Sequence, residues 1–180
     1  MTIKPKALCG VIWITGLSGT GKTSLATKLA TRYRDSGQLP VHLDGDDLRT
    51  IFDLSQKYDY ASRLSLAKTY SRLAIMLAQQ GHLVIVSTIS LFHEIHTMNR
   101  KFEAYCEIYL TSNLNLLKST NNKGVYKNHD GSHSKDVVGL DIEPEIPITP
   151  HRVLSIDFTD TSSPDIEDLF EFTRRFMIAF

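Results

Sequence analysis

Gly16-Leu17-Ser18-Gly19-Thr20-Gly21-Lys22-Thr23 follow the spacing G-x-x-x-x-G-K-[ST], and each residue type answers a need of phosphate binding. Glycines reach backbone angles closed to other residues, so successive N–H groups can turn inward around phosphate oxygens. A helix that starts behind such a loop aims its positive end at the same anion. Lys22 is then placed for the β- and γ-phosphates, and the Thr23 hydroxyl for Mg²⁺. The plain alternative is a chance match in a turn. Against it, an apolar strand ends at Thr15 and an amphipathic helix begins near Lys22, the context the pattern requires. The segment predicts binding of ATP with Mg²⁺.

A second cluster is Asp44-Gly45-Asp46-Asp47-Leu48-Arg49, at the end of the next apolar run. Carboxylates at the carboxyl end of a strand lie where α/β sheets bind ligands. Asp46 is suited to accept a hydrogen bond from an attacking hydroxyl. Asp44 could orient that site or hold a metal-bound water. Both roles fit phosphoryl transfer, in which positioning and charge neutralisation dominate. A solvated acidic turn capping the next helix is the other reading. Beside a phosphate loop, the catalytic reading is preferred.

The elements that must position these residues are legible as apolar runs. Val11–Thr15, Val41–Leu43, Leu83–Ser87, Glu107–Leu110 and Arg152–Ile156 read as buried strands. Leu25, Leu29 and Tyr33, with Ala26 and Ala30, share one helical face. A second helix is predicted from about Ala61 to Gln80 with Gly81 as its stop, a third over Glu94 to Tyr105, and a fourth over Asp165–Ala179. Strands alternating with helices predict an α/β fold: a parallel five-stranded sheet of the P-loop NTPase type, flanked by helices. Residues 119–150 break the pattern, being polar and then proline-rich, and are read as a lid within a single domain spanning 1–180.

Length and composition agree with this. The 180 residues suffice for one stable core. Twenty basic and twenty acidic residues cancel, which removes any overall electrostatic case for nucleic acid or an anionic membrane. Cys9 and Cys106 read as two reduced thiols in or near strands. No signal peptide or run of transmembrane length is found, so a cytoplasmic location is expected.

With these motifs in view, the sequence resembles the adenylylsulfate (APS) kinases, P-loop kinases that phosphorylate the ribose 3′-hydroxyl of adenosine 5′-phosphosulfate. Their phosphate loop is similar to Gly16–Ser24, and their Asp-Gly-Asp-Asn-x-Arg segment is matched by Asp44, Gly45, Asp46, Leu48 and Arg49. A family arginine falls on Arg63, and the aromatic that stacks on the substrate base falls on Tyr58. Ser90, after Ile89, matches the serine of the Ile-Ser-Pro substrate loop. Lys123-Gly124-Val125-Tyr126 and Val138-Gly139-Leu140-Asp141 resemble two stretches of the lid region. The likeness runs from about Val11 to Ile156. It implies that Ser18, Gly19, Thr20, Gly21, Lys22, Thr23 and Ser24 bind the donor and that Asp46 positions or deprotonates the hydroxyl. Arg49, Arg63 and Lys123 would then contact the acceptor's charged groups. It also implies a homodimer.

The departures from the family cluster on the acceptor side. Its proline after the substrate-loop serine is Leu91, its asparagine after the second arginine is Leu66, and its next arginine is Lys68. The phenylalanine that closes over the adenine is Val137, and the Arg-Asp pair before the lid Lys-Gly is Thr120-Asn121. Losing one face of an aromatic sandwich costs on the order of 1 kcal/mol. The acceptor pocket therefore looks retuned. A relative that fits such a change is cytidine diphosphoramidate kinase of capsular polysaccharide pathways, which phosphorylates a cytidine nucleotide. The two acceptors stay open rivals, with a lean towards the cytidine compound.

Other signals are set aside. His93 and His96 have helical spacing for a metal but no third ligand nearby, so both are expected as partly exposed helix residues. His129, His133, Lys127 and Lys135 read as solvated lid residues. A catalytically dead nucleotide-binding module, or another P-loop nucleotide or sugar kinase, remains an alternative.

Overall fold

The computed structural model of the chain describes residues 6–53, 59–113, 115, 117, 137–155 and 164–180. Its centre is the strand β1 (Leu8–Gly16), whose residues after Leu8 are all buried. Such a strand has no polar face because both sides are covered. β1 pairs in parallel with β3 (Leu83–Thr88) on one side and β4 (Tyr105–Thr111) on the other. β2 (Val41–Asp44) extends the sheet beyond β3, and β5 (Arg152–Ser155) extends it beyond β4, again in parallel. The order β2-β3-β1-β4-β5 is the expected five-stranded parallel sheet.

Period-two alternation sorts β1 between two cores. Ile12 and Ile14 face α1 (Lys22–Asp35) and α5 (Ile166–Arg174), meeting Leu25, Leu29, Tyr33 and Phe170. Val11 and Trp13 face α3 (Tyr60–Gln79) and α4 (His93–Asn99), meeting Leu66, Tyr70, Ala74 and Ile95. The Asp59 side chain accepts from the Ser62 N–H at the start of α3, and Gly81, at φ +90°, follows its end. Cys9 and Cys106 are buried free thiols, as expected.

Three expectations need correction. The helix predicted over Glu94 to Tyr105 stops at Asn99, and Tyr105 opens β4. Lys101 and Phe102 N–H groups bond three residues back, tightening the chain out of the helix while Phe102 stays packed on the core and preserves the apolar period. The helix predicted over Asp165–Ala179 ends at Arg174. Ile178–Ala179 form a short strand, β6, antiparallel to Leu8–Cys9 of β1. Gly45–Ile51, absent from the predicted helices though the capping alternative allows one there, is a helix (α2) capped by Asp44. Among the described residues, no helix is long and apolar enough to cross a membrane.

Candidate active site

Because β1, β2 and β3 run in parallel, they end at Gly16, Asp44 and Thr88 on one edge of the sheet. Gly16 has φ +155°, and a Cβ there would lie 2.4 Å from the Leu110 carbonyl oxygen, so the loop leaves β1 pressed against β4. Gly19 and Gly21 have φ of +81° and +84° and turn the chain back towards α1. Gly21 caps α1 without a side chain, so the cap position itself supplies no side-chain acceptor to the first-turn N–H groups. The Leu17 carbonyl gathers the loop from within. It accepts from the Thr20 hydroxyl at 2.9 Å and from the Lys22 ammonium at 2.6 Å.

Asp44 joins this loop to the neighbouring strands. Its Oδ2 accepts from the Thr23 hydroxyl at 2.7 Å and from the Ser87 hydroxyl at 2.6 Å, while Oδ1 accepts from the Asp46 N–H at 2.9 Å. Burial pushes its pKa up, but these three donors together outweigh burial and hold the carboxyl below the usual aspartate range. A His42 ring nitrogen lies 2.9 Å from the Ser87 hydroxyl. Because that hydroxyl spends its one proton on Asp44, the ring nitrogen is the donor there. Asp44 therefore caps α2, as the alternative reading of this segment has it, and through Thr23 it also touches the helix behind the phosphate loop.

α2 starts close to β3 because Gly45 lacks a side chain: a Cβ would meet the Thr88 hydroxyl at 3.0 Å. The Tyr70 hydroxyl of α3 donates to the Gly45 carbonyl at 3.1 Å and braces this turn. Beyond β3, the Thr15 hydroxyl donates to the Ile89 carbonyl at 2.5 Å, and the Thr88 and Ser90 hydroxyls are 2.9 Å apart. The Ile89–Ser90 turn is thereby tied to the end of the central strand.

These parts surround a cavity of about 650 Å³. Ser18, Gly19, Gly21, Lys22, Thr23 and Ser24 line one end. Asp44, Asp46, Arg49, Arg63, Ile89, Ser90 and Val137 line the rest. The structure thus brings together most of the residues singled out in the sequence. Gly16 and Thr20 shape the loop without lining the cavity, and Tyr58 and Lys123 lie outside the described residues. Sequence reasoning missed Thr88, Tyr70, Phe92, Val138 and Ile142 as lining residues. Thr88 could have been found from its place at the end of β3; the others depend on tertiary packing. Leu66 and Leu91 line the cavity where the family carries asparagine and proline. Lys68 instead pairs with Glu94 at 2.7 Å, as a link between α3 and α4.

The two helical histidines separate. His93 is exposed, but His96 is 3% exposed, contrary to expectation, with Nδ1 2.5 Å from Glu107 Oε1. Glu107 also takes Arg100 at 2.6 Å and the Tyr105 hydroxyl at 3.1 Å. Burial raises the Glu107 pKa, yet His96 and Arg100 outweigh it and hold the carboxyl below the usual glutamate range. Among the described residues, no group of three or more His, Cys, Asp or Glu could hold a metal ion.

With this geometry in hand, the comparison with known families is decisive: a model described as adenylylsulphate kinase matches residues 9–155. The chain belongs to the adenylylsulphate kinase family. It is 38% identical over 138 residues to a cytidine diphosphoramidate kinase of Campylobacter jejuni subsp. jejuni, covering 76% of this chain and 81% of that protein. It is 29% identical over 164 residues to an adenylyl-sulfate kinase of Clostridium kluyveri, covering 90% of this chain and 82% of that one. Among solved structures, it superposes on the APS kinase of Mycobacterium tuberculosis in complex with AMPPNP and APS with a TM-score of 0.80. That match has 26% identity and covers 96% of this chain and 98% of the other. The family assigns ATP-dependent phosphotransfer to the chain, and the P-loop sheet is the family's fold.

Proposed function

We propose that this chain transfers the γ-phosphoryl group of ATP, with Mg²⁺, to the ribose 3′-hydroxyl of an activated nucleotide. The supporting observation is that one cavity holds Lys22 and Thr23 at one end and Asp46, Arg49 and Arg63 further along. Donor phosphates would lie in the loop under Lys22. Arg49 and Arg63 would take the acceptor's phosphate-like groups, for which planar guanidinium forks are suited. Asp46 would accept the hydrogen bond of the attacking hydroxyl and aim its oxygen along the line of transfer. Mg²⁺ fits the Thr23 hydroxyl with anionic Asp44 behind it, since this ion prefers oxygen donors and few protein ligands. When bound, it would neutralise charge on the phosphates.

For the acceptor we favour cytidine diphosphoramidate, used in capsule synthesis, over adenylyl sulfate. Leu66, Leu91 and Val137 give the acceptor half aliphatic walls, replacing one amide (asparagine), one proline and one aromatic ring (phenylalanine) of the family. The 38% identity to a kinase of that cytidine compound points the same way. Adenylyl sulfate remains the second reading, supported by relatives such as the Clostridium kluyveri enzyme. The donor and acceptors fit a cytoplasmic enzyme, and the family likeness fits a homodimer with a lid over 119–150.

The test is ADP release from ATP·Mg²⁺ with each acceptor in turn. Turnover of the cytidine compound at higher kcat/KM than adenylyl sulfate is expected, and Lys22→Ala and Asp46→Asn should abolish it. Efficient use of adenylyl sulfate alone would remove the preference. ATP binding with no ADP release on either acceptor would favour a dead module.

A further inference from the structure

The acceptor half of the cavity is assembled from segments far apart in sequence. Arg63 and Leu66 come from α3, Leu91 and Phe92 from the turn before α4, and Val137 and Ile142 from the later part of the segment 119–150. Glu145, which does not line the cavity, joins all three. Its own N–H donates to the Leu91 carbonyl at 3.1 Å. Its Oε2 accepts from the His93 N–H, the first residue of α4, at 2.6 Å. Its Oε1 accepts from the hydroxyl of Tyr60, the first residue of α3, at 2.8 Å. The Tyr60 ring in turn meets Phe92 edge-on, with centroids 5.2 Å apart. A His93 ring nitrogen lies 3.1 Å from the Ile146 carbonyl and makes a second tie beside the first.

A loop carboxylate is ordinarily solvated and interchangeable. This one is not, because its two oxygens and its main-chain N–H reach three different elements of one wall. Burial raises the Glu145 pKa, but the His93 N–H and the Tyr60 hydroxyl outweigh it and hold the carboxyl below the usual glutamate range. An ionised acceptor makes shorter and stronger hydrogen bonds than a neutral one.

We propose that Glu145 is a positioning residue for the acceptor nucleotide. It sets the separation between the start of α3, which carries Arg63, and the Leu91–Phe92 turn. It touches neither the phosphate loop nor the reacting atoms, so its influence falls on the acceptor and not on ATP. This rests on the kinase reading given above.

The experiment compares the full chain with its Glu145→Ala, Glu145→Gln and Tyr60→Phe variants, by steady-state kinetics and by amide hydrogen exchange at His93. Kinetics use whichever of the two acceptors the wild type turns over. Glu145→Ala should raise the acceptor KM about tenfold and leave the ATP KM within about twofold. Glu145→Gln keeps one carbonyl acceptor and should recover part of that loss, and Tyr60→Phe should raise the acceptor KM a few-fold. The His93 amide should exchange faster in Glu145→Ala. An unchanged acceptor KM, an equal rise in both KM values, or an unaltered His93 exchange rate overturns the proposal. If Glu145→Ala does not fold, Tyr60→Phe decides, because it removes one hydroxyl only. A wild type that releases ADP with neither acceptor defeats the kinase reading instead, and the His93 exchange then judges the clasp alone.

Discussion

The Thr23 hydroxyl donates to Asp44 Oδ2 at 2.7 Å, tying the helix behind the phosphate loop to the end of β2. With its proton committed there, the hydroxyl turns its lone pairs away from the carboxylate. Asp44→Asn removes the charge and spoils one of the three accepting contacts. Affinity for ADP with Mg²⁺ should fall about tenfold, as for other groups that support a metal ligand from behind. Affinity for ADP without the metal should hardly change. Calorimetry in the presence and absence of Mg²⁺ reads both, and equal losses would contradict the assignment. Asp44→Ala also deletes the cap of α2 and should cost about 1 kcal/mol more in stability.

Two loop glycines should respond differently to alanine. At Gly16 the new methyl meets the Leu110 carbonyl oxygen at 2.4 Å, and main chain on one side or the other must move. At Gly21 nothing lies within 4 Å, so only the left-handed backbone resists. That resistance is about 1–2 kcal/mol. Thermal denaturation should therefore rank Gly16→Ala well below Gly21→Ala, and a reversed order would mean that β1 and β4 part easily.

Glu107 makes stability depend on acid. Its pKa in the folded chain is held below the ordinary 4.5, so it stabilises above that value. The contribution disappears as pH falls through the folded pKa. The wild-type Tm should drop below about pH 4.5. Glu107→Gln should lose about 1–3 kcal/mol at neutral pH, because the half-buried Arg100 and the buried His96 lose their charged acceptor. Its Tm should also vary less with pH in the acid range. Parallel Tm profiles for the two proteins would show that another group carries the acid sensitivity.

Acceptor choice should be movable from the apolar wall. Val137→Phe with Leu66→Asn restores one aromatic face and one amide. The ratio of kcat/KM for adenylyl sulfate over the cytidine compound should rise roughly five-fold from stacking alone. Competition between the two acceptors in one tube measures that ratio directly. A ratio that stays fixed would locate base selection elsewhere.

The donor side was legible because its chemistry is written in consecutive residues. Gly16 to Thr23 need only one strand before them and one helix after them to work. β1, β3 and β4 were equally plain, since burial on both faces leaves continuous apolar runs, whereas β2 and β5 at the two edges are only partly buried. What escaped depends on contacts between distant segments. α2 is hidden in Asp44-Gly45-Asp46-Asp47 because only the approach of Gly45 to Thr88 makes room for it. His96 reads as a surface residue until Glu107, on the adjoining strand, supplies its partner. β6 is too short for any alternation to show. Tyr70 looks like an ordinary core residue and Val138 like part of the lid, and only the meeting of α3 with the segment around Val138 brings them to one cavity.

The strand at the middle of the sheet is also synthesised before each of the strands it pairs with. β1 takes its partners from β3, β4 and β6, all of which come later along the chain. While the ribosome is still making those segments, an apolar ridge of Val11 to Ile14 waits without neighbours. Nascent chains of this enzyme should therefore depend on holding chaperones early in translation, and become independent of them once β4 is complete.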